Sequence, residues 1–597
     1  MSEQKVVEQR VALAISGAVS LGSYEAGVMY ELIKAFKEHN EKDPYNKIVI
    51  DVISGASAGA ITGAMLAQKL LFDGVRLEDP KGNALYQAWV EKANIDGLLK
   101  KHKGDNTKTS LLSNGFVKSI GESMILSRYG SYAQPSEQPH PVSAAKIRLG
   151  LALTNLNGID YHVSTLDPLH SDGKFIQTRH QDRYTVTIES ESAKQVREKE
   201  EEARDEPTED EVISRNFAHD KKEDWQYIVN LAQASGAFPF AFSPIKSHRT
   251  WDSPDYRVRD ADNFNLHSSD GSMAYLDGGV MNNYPLGMAR NLAQLNDTKA
   301  TDYKQRHYFY ISPNKKTSTA DYKKKLDNLI DITVGLGSSI FNDARFQDWL
   351  MTDDFNQKVA SIDTRAKSIR DWIRHNLTDE AKTQHQQKLI TQLVESIYSD
   401  DELAALRDYL GGQYEEDLNE KPLNKAQRAV WLDMIVLVVD SASLTDKDTM
   451  NVYTITAENN DLASSDMSSF VGFFDKDYRD HDYLVGRIKA CELLNDIANR
   501  YGNKSDLIKL KITRRDTDQL ENSKAAFGKL GGIELPDTDL NVRKRLAAHF
   551  KSRLDSTLKQ SEVNWFQRFV IKHFVTDKAI DKYLGTETRG RGKPWGK

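Results

Sequence analysis

The sequence predicts an α/β fold with a largely parallel sheet over roughly its first 320 residues and a mainly helical region from about 321 to 597. Three observations carry this expectation. Short β-branched or aliphatic runs alternate with helical stretches up to Ser312, the pattern of parallel strands joined by crossover helices. Two of the earliest strand-to-helix junctions are rich in Gly and Ser. Beyond about Asp321 the alternation gives way to long, charged, helical segments.

Taken in order, Val11–Ile15 reads as the first strand, the loop Gly17–Gly22 follows, and a helix is expected from about Ser23 to Phe36. Ile48–Ile53 is the second strand. It opens into Ser54-Gly55-Ala56-Ser57-Ala58-Gly59, and a helix is expected to continue to about Leu71. A G-x-S-x-G between a strand and a helix is the nucleophile-elbow pattern: its glycines leave space for a strained turn that lifts the serine clear of the sheet. The stretch from Leu85 to Ile125 reads as mostly helical, with Trp89, Leu98 and Leu99 in the core. Lys146–Leu153 and Tyr161–Leu166 read as two strands around a turn at Asn157-Gly158, and Phe175–Gln177 and Tyr184–Ile188 read likewise. A charged insertion, expected as a solvated helix or mobile segment, occupies about 189–222. Trp225–Ala234 is helical. Ala234–Pro244 carries two prolines and three phenylalanines and reads as a fixed apolar loop. Met273–Leu276 is a short strand ended by Asp277-Gly278-Gly279, a further helix begins near Leu286, and Arg306–Ser312 is another strand.

In the second half, Lys323–Ile332, Phe355–His375, Asp379–Tyr398 and Glu402–Leu410 read as helices, with a break at Gly411-Gly412. Val452–Thr456 is a candidate strand that could rejoin the sheet. Val542–Val575 is basic and helical, with Trp565, Phe566, Phe569, Val570 and Phe574 as its apolar set, and Arg589–Lys597 is basic and Gly-rich. A basic amphipathic helix can rest on an anionic membrane; the alternative is a helix packed on its own domain with its cations in water.

A length of 597 residues calls for more than one core. A net charge of −7 argues against a general nucleic-acid binder, and 39% hydrophobic with 28% charged residues fits a soluble globular protein. The single cysteine, Cys491, excludes an intramolecular disulfide framework and suits a reducing compartment. The start of the chain lacks a clean positive flank for a signal peptide, and no run reaches the roughly 20 apolar residues of a membrane span. A cytoplasmic location, with peripheral membrane contact through the basic helix as an option, is expected.

Serine needs a base within hydrogen-bond reach and N–H donors for the oxyanion. Two bases can be proposed: His307, in a Ser-Asp-His order through Asp277, or the Asp277 carboxylate itself, taking the Ser57 proton directly. Only one readable strand precedes the elbow, and His307 sits inside a strand pattern, which speaks for Asp277.

Gly17–Gly22, the Gly55–Gly59 elbow, the Ala234–Pro244 loop and Asp277-Gly278-Gly279 occur in an order and spacing that resembles patatin-like phospholipases, in particular long bacterial patatin-related proteins. Asn282 and Pro285 fall where that family often has them. A weaker likeness extends through Phe470–Phe474 and Arg479–Arg487. The resemblance implies a three-layer α/β/α sandwich, a Ser57–Asp277 dyad, and hydrolysis of acyl esters in phospholipids or other lipids without a metal or other cofactor. It also implies an oxyanion hole from Gly17, Ala18, Val19, Gly22 and Ala58. The family's first loop usually reads G-G-G-x-R/K-G. Here Ala18 and Val19 restrict φ, and Leu21 stands where the cation is usual. That departure keeps two other readings open: a patatin-fold binding or scaffold protein with little or no activity, and an esterase for small soluble esters.

Overall fold

The apolar residues of the first strand alternate in size, and the fold follows from that alternation. Strand β1 (Val7–Ile15) sends Val11, Leu13 and Ile15 to one face and the smaller Ala12 and Ala14 to the other, as the two-residue repeat of a strand requires. The computed structural model describes residues 6–106, 109–126, 139–164, 174–201, 215–218, 222–239, 241–248, 264–265, 272–281, 285–297, 306–313, 361–441, 451–458, 461–464 and 469–500, with a few isolated positions after them. Asn282, the expected helix at Lys323–Ile332 and all but positions 548, 551 and 552 of that at Val542–Val575 lie outside the described residues, as does the Arg589–Lys597 tail.

Strands β2 (Asn46–Gly55), β3 (Ser143–Ser164), β4 (Lys174–Glu189), β5 (Arg215–Ala218), β6 (Ile245–His248), β7 (Phe264–Asn265), β8 (Ser272–Asp277), β9 (Arg306–Ser312) and β10 (Val452–Thr456) complete one sheet with β1, in the order β10-β9-β1-β2-β3-β4-β5. β10, β9, β1, β2 and β3 run parallel; β4, β7 and β8 are antiparallel to β3. Helices α1 (Gly22–Lys42), α2 (Ala58–Phe72), α3 (Asn114–Ile125) and α4 (Lys222–Ser235) pack in the main core on the Val11–Leu13–Ile15 face. Helix α5 (Pro285–Gln294) covers the other face, placing Leu286, Met288 and Leu292 against Ala12, Ala14 and Ala152. This is the expected three-layer α/β/α arrangement.

Asp51 sits within the apolar run of β2, and the pairing of β2 to both neighbours skips it: Val11 pairs Ile50 and Ala12 pairs Val52, while on the other side Ser143 pairs Ile50 and Arg148 pairs Val52. This bulge accommodates a buried ionic cluster. Arg306 on β9 donates to both carboxylate oxygens of Asp51 and, at 2.8 and 2.6 Å, to those of Asp297. All three side chains are buried, so each charge depends on the others being present.

Two expectations change. Asn157-Gly158 is not a turn between two strands; β3 and β4 are single long strands that pair on both sides of a register shift between Thr154 and Ile159. The Asn155 side chain accepts from the Asn157 and Gly158 N–H groups, and Gly158 takes φ +75, so the residues that suggested a turn build a bulge. Gly411-Gly412 does not end a helix either. Helix α7 (Asp400–Gln413) runs through it, because Leu410 and Tyr414 are anchored in a core that outweighs the cost of about 1 kcal/mol per helical glycine.

That core belongs to a helical unit made by residues 361–376, α6 (Glu380–Glu395), α7 and α8 (Lys425–Ser441), centred on Trp431, whose indole N–H donates to the Ala366 carbonyl at 3.0 Å. After it the chain returns to the first core: β10 adds to the sheet beside β9, and α9 (Lys476–Arg500) lies on α1. A division at residue 320 therefore leaves on its far side a strand and a helix that share the main core. α1 is buried almost all round, between sheet and α9, and its acidic Glu31 is met by Arg487 at 3.1 Å. The two helices cross at Gly27 and Gly486; a Cβ on Gly27 would overlap the Tyr483 carbonyl oxygen, and one on Gly486 that of Tyr24.

Gly27→Leu is therefore expected to destabilise the protein by at least about 3 kcal/mol, read as a large fall in Tm, because backbone stands where the side chain must go. The pH dependence of stability tests a second burial. His307 on β9 is 1% exposed, and desolvation, aided by Arg306, lowers its pKa from 6.5 to about 3. The unfolded chain takes up this proton at about 6.5 and the native chain does not, so the stability it contributes is complete above pH 6.5 and declines as pH falls towards 3. His307→Gln should flatten the loss of stability between pH 6.5 and pH 4, measured by urea unfolding; an unchanged slope would count against a neutral buried imidazole.

Candidate active site

Ser57 occupies the turn between β2 and α2 with φ +56 and ψ −124, a left-handed conformation that costs a non-glycine residue of order 1–3 kcal/mol and persists only when its surroundings impose it. The surroundings are glycines. A Cβ on Gly55 would overlap the Gly59 carbonyl, one on Gly59 would overlap the Ile15 carbonyl, and one on Gly17 would lie 2.9 Å from the Ser57 Cβ. The three close approaches press β1, β2 and the start of α2 together, leaving Ser57 at the carboxyl end of the parallel strands, 7% exposed. Its N–H donates to the Ser235 hydroxyl at 3.0 Å.

Asp277 is the last residue of β8, opposite Leu153 on β3. Its N–H donates to the Ala237 carbonyl (3.0 Å), and its carbonyl accepts from the Thr154 hydroxyl (2.8 Å). Gly278 follows with no room for a Cβ against the Ala152 carbonyl. One carboxylate oxygen, Oδ1, accepts from the Gly279 N–H at 2.8 Å; the other, Oδ2, accepts from the Ser57 hydroxyl at 2.6 Å. Both features of the D-G-G turn are thus used: the first glycine for close approach, the second for an N–H that fixes the carboxylate. Residues 220 apart in sequence meet in one short hydrogen bond.

His307 does not join them. It pairs with Val11, four residues before the end of β1 that faces the site, and its Nδ1 faces the Tyr453 hydroxyl at 3.4 Å. Kept neutral and buried, it belongs to the sheet interior, and the Ser-Asp-His alternative has no geometric support.

Of the residues expected to form an oxyanion hole, Gly17 stands against Ser57, and Val19 and Ala58 line the same cleft as Ser57. The Ala58 N–H, at the first position of α2, has no acceptor among the described residues, as expected for the first turn of a helix. Ala18 is buried at φ −140 and Val19 takes φ +53, a genuine outlier for a β-branched side chain. Gly22 starts α1 with the Trp89 ring 2.5 Å from where a Cβ would be, so packing accounts for its lack of a side chain. Leu21 is fully buried.

The cleft encloses about 690 Å³ of empty space, its open mouth included, and Ile61, Met65, Trp89, Phe116, Phe238 and Phe473 form much of its wall. Among the described residues its lining holds no charged side chain, and the Ser57 hydroxyl is its one polar side-chain group besides the Trp89 indole N–H, which is tied to Thr62 at 3.0 Å and through it to the buried Glu25 at 3.2 Å. Sequence reading placed Trp89 in the core and set Ser235 and Phe473 within the Ala234–Pro244 and Phe470–Phe474 segments without giving either a role, and it passed over Thr154; only the tertiary fold brings the three to Ser57, the cleft and Asp277. Among the described residues no group of three or more His, Cys, Asp or Glu side chains converges as a metal ligand set would.

This arrangement can pass a proton from a hydroxyl to a carboxylate beside an apolar cleft. Residues 13–290 match the family model described as patatin-like phospholipase. An uncharacterized protein, y4iI, of Sinorhizobium fredii is 26% identical over 263 residues, which cover 39% of this chain and 36% of that protein, so the match spans about a third of the relative's length. The crystal structure of VipD from Legionella pneumophila aligns over 99% of this chain and 94% of its own, at 12% identity and a TM-score of 0.20. Residues 13–290, the stretch that is similar to the patatin-like phospholipase family, hold both Ser57 and Asp277.

Proposed function

We propose that the protein is a serine lipid acyl hydrolase of phospholipase A type that works through a Ser57–Asp277 dyad and an acyl-enzyme. The observation that carries this reading is the 2.6 Å hydrogen bond from the Ser57 hydroxyl to Asp277 Oδ2 at the mouth of a cleft lined by apolar side chains. In the first half-reaction Ser57 Oγ attacks the ester carbonyl carbon while its proton passes to Asp277 Oδ2. N–H groups of Gly17, Ala18, Val19 and Ala58 receive the oxyanion, and the alcohol leaves with the proton held by Asp277. Water then attacks the acyl-enzyme, giving its proton to Asp277, and Ser57 recovers its own as the fatty acid departs. The Gly279 N–H keeps the carboxylate plane fixed throughout. The apolar lining supports a long acyl chain over a small soluble ester, since each buried methylene adds about 0.8 kcal/mol. The single cysteine, the buried Cys491, is in keeping with a reducing, cytoplasmic setting.

Ser57→Ala should lose fluorophosphonate labelling and lower hydrolysis of micellar phospholipid by at least about 10³-fold; a purified variant with wild-type rates would sink the assignment. Asp277→Asn keeps the shape but cannot take the proton, so turnover should fall comparably while Tm stays within a few degrees. A folded wild-type protein that resists the probe and releases no fatty acid would instead favour a scaffold. The loop supplies a further expectation: Val19→Gly, which accepts φ +53 freely, should still be labelled, whereas Val19→Pro, locked near φ −65, should not.

A further inference from the structure

Phe473 lies far beyond the family-matched residues, yet it lines the same cleft as Ser57. Its placement is held from several sides. The Ser20 hydroxyl of the oxyanion loop donates to the Ser469 carbonyl, and Gly472 packs so closely on that loop that a Cβ would come 2.6 Å from Ser20 Oγ. The Phe470 ring meets Phe238 edge-on at 5.8 Å and Phe473 at 6.0 Å. Arg479, only 3% exposed, donates to the carbonyls of Gly472 (2.7 Å) and Asp475 (3.0 Å) and, through Nε, to that of Val90 (3.0 Å). Val90 follows Trp89, another wall of the cleft, so one buried guanidinium ties two walls together. A surface segment that merely passed the cleft would not need a buried cation bonded to three carbonyls.

We infer that Phe473 is a specificity-determining residue, its ring limiting the length and bulk of the acyl chain the cleft accepts, with Arg479 as the residue that positions it. The inference rests on the acyl-hydrolase reading and deepens it. A wall that cannot move excludes the methylenes that would occupy the ring's volume; removing the ring admits them, and each one buried is worth roughly fourfold in affinity. Phe473→Ala should therefore shift the optimum towards longer chains, and Phe473→Trp towards shorter ones.

The test compares wild type, Phe473→Ala, Phe473→Leu and Phe473→Trp on short-, medium- and long-chain p-nitrophenyl esters, alongside displacement of a fluorescent fatty acid by saturated fatty acids of the same lengths. The expected result is a rise of at least roughly tenfold in the long-to-short ratio of kcat/KM for Phe473→Ala, a little under two methylenes' worth, a smaller rise for Phe473→Leu and a fall for Phe473→Trp. An unchanged profile, or equal loss at every length, overturns the inference while leaving the dyad standing. If the wild type is neither labelled by fluorophosphonate nor active, the acyl-hydrolase reading fails; displacement then decides alone, with new long-chain binding in Phe473→Ala supporting the wall and an unchanged preference refuting it. Should Phe473→Ala fail to fold, the opposite shifts of the Leu and Trp variants carry the same decision.

Discussion

The backbone conformation of Ser57 is the constraint from which the site follows. A serine at φ +56 cannot be held by local preference; it is held because Gly55, Gly59 and Gly17 bring main chain against main chain. A side chain at Gly55 or Gly59 would separate β1, β2 and α2, and the turn would relax. The same device recurs at the acid, where Gly278 rests on the Ala152 carbonyl while the Asp277 N–H and C=O are tied to Ala237 and Thr154. Two independently fixed backbones thus present one hydroxyl and one carboxylate at hydrogen-bond distance. Little conformational freedom is left to lose when a substrate arrives.

What keeps those strand ends in register lies deeper in the sheet. Arg306, Asp51 and Asp297 join β9, β2 and the segment after α5 in a buried network, and the bulge at Asp51 lets an otherwise apolar strand hold a carboxylate there. Removing one member would strand the remaining charges without water, a loss of about 3–5 kcal/mol by comparison with other buried pairs. On the helical side, the glycine-to-glycine crossing of α1 and α9 places chain from beyond residue 470 directly over the helix that starts at the Gly17–Gly22 loop. The site is therefore supported by parts of the sequence almost 460 positions apart, as the pairing of Glu31 with Arg487 illustrates.

Much of this was legible from local pattern. The elbow, the first loop, the D-G-G turn and the alternation of strands and helices are short-range signals, because glycine placement and β-branched runs report directly on backbone conformation. Legibility failed where a residue's role depends on partners distant in sequence. Asn157-Gly158 has turn chemistry and builds a bulge, since β4 continues to pair across it. Gly411-Gly412 has breaker chemistry and lies inside a helix, since Leu410 and Tyr414 are buried on either side. Asp51 lies within an apolar run and is a member of an ion network that local pattern does not report. Ser235 and Phe473 lie in segments that local pattern singled out, but their roles come from their neighbours in space, Ser57 and the cleft.

The first loop brings these strands together. Where the related family uses glycines and a cation, this chain has Ala18, Val19 and Leu21, and Val19 nevertheless takes φ +53. Glycine would enter that conformation at no steric cost; valine enters it only if other contacts over-determine the loop. Those contacts are present. Leu21 is fully buried, the Trp89 ring closes on Gly22, and Ser20 is bonded to the Ser469 carbonyl of the segment that Arg479 secures. The conformational freedom missing from the loop's own residues is offset by tertiary contact with the far end of the chain. The loop and the Phe470–Phe474 segment therefore work as one unit: the same contacts that hold Val19 in the cleft beside Ser57 also place Phe473 in its wall.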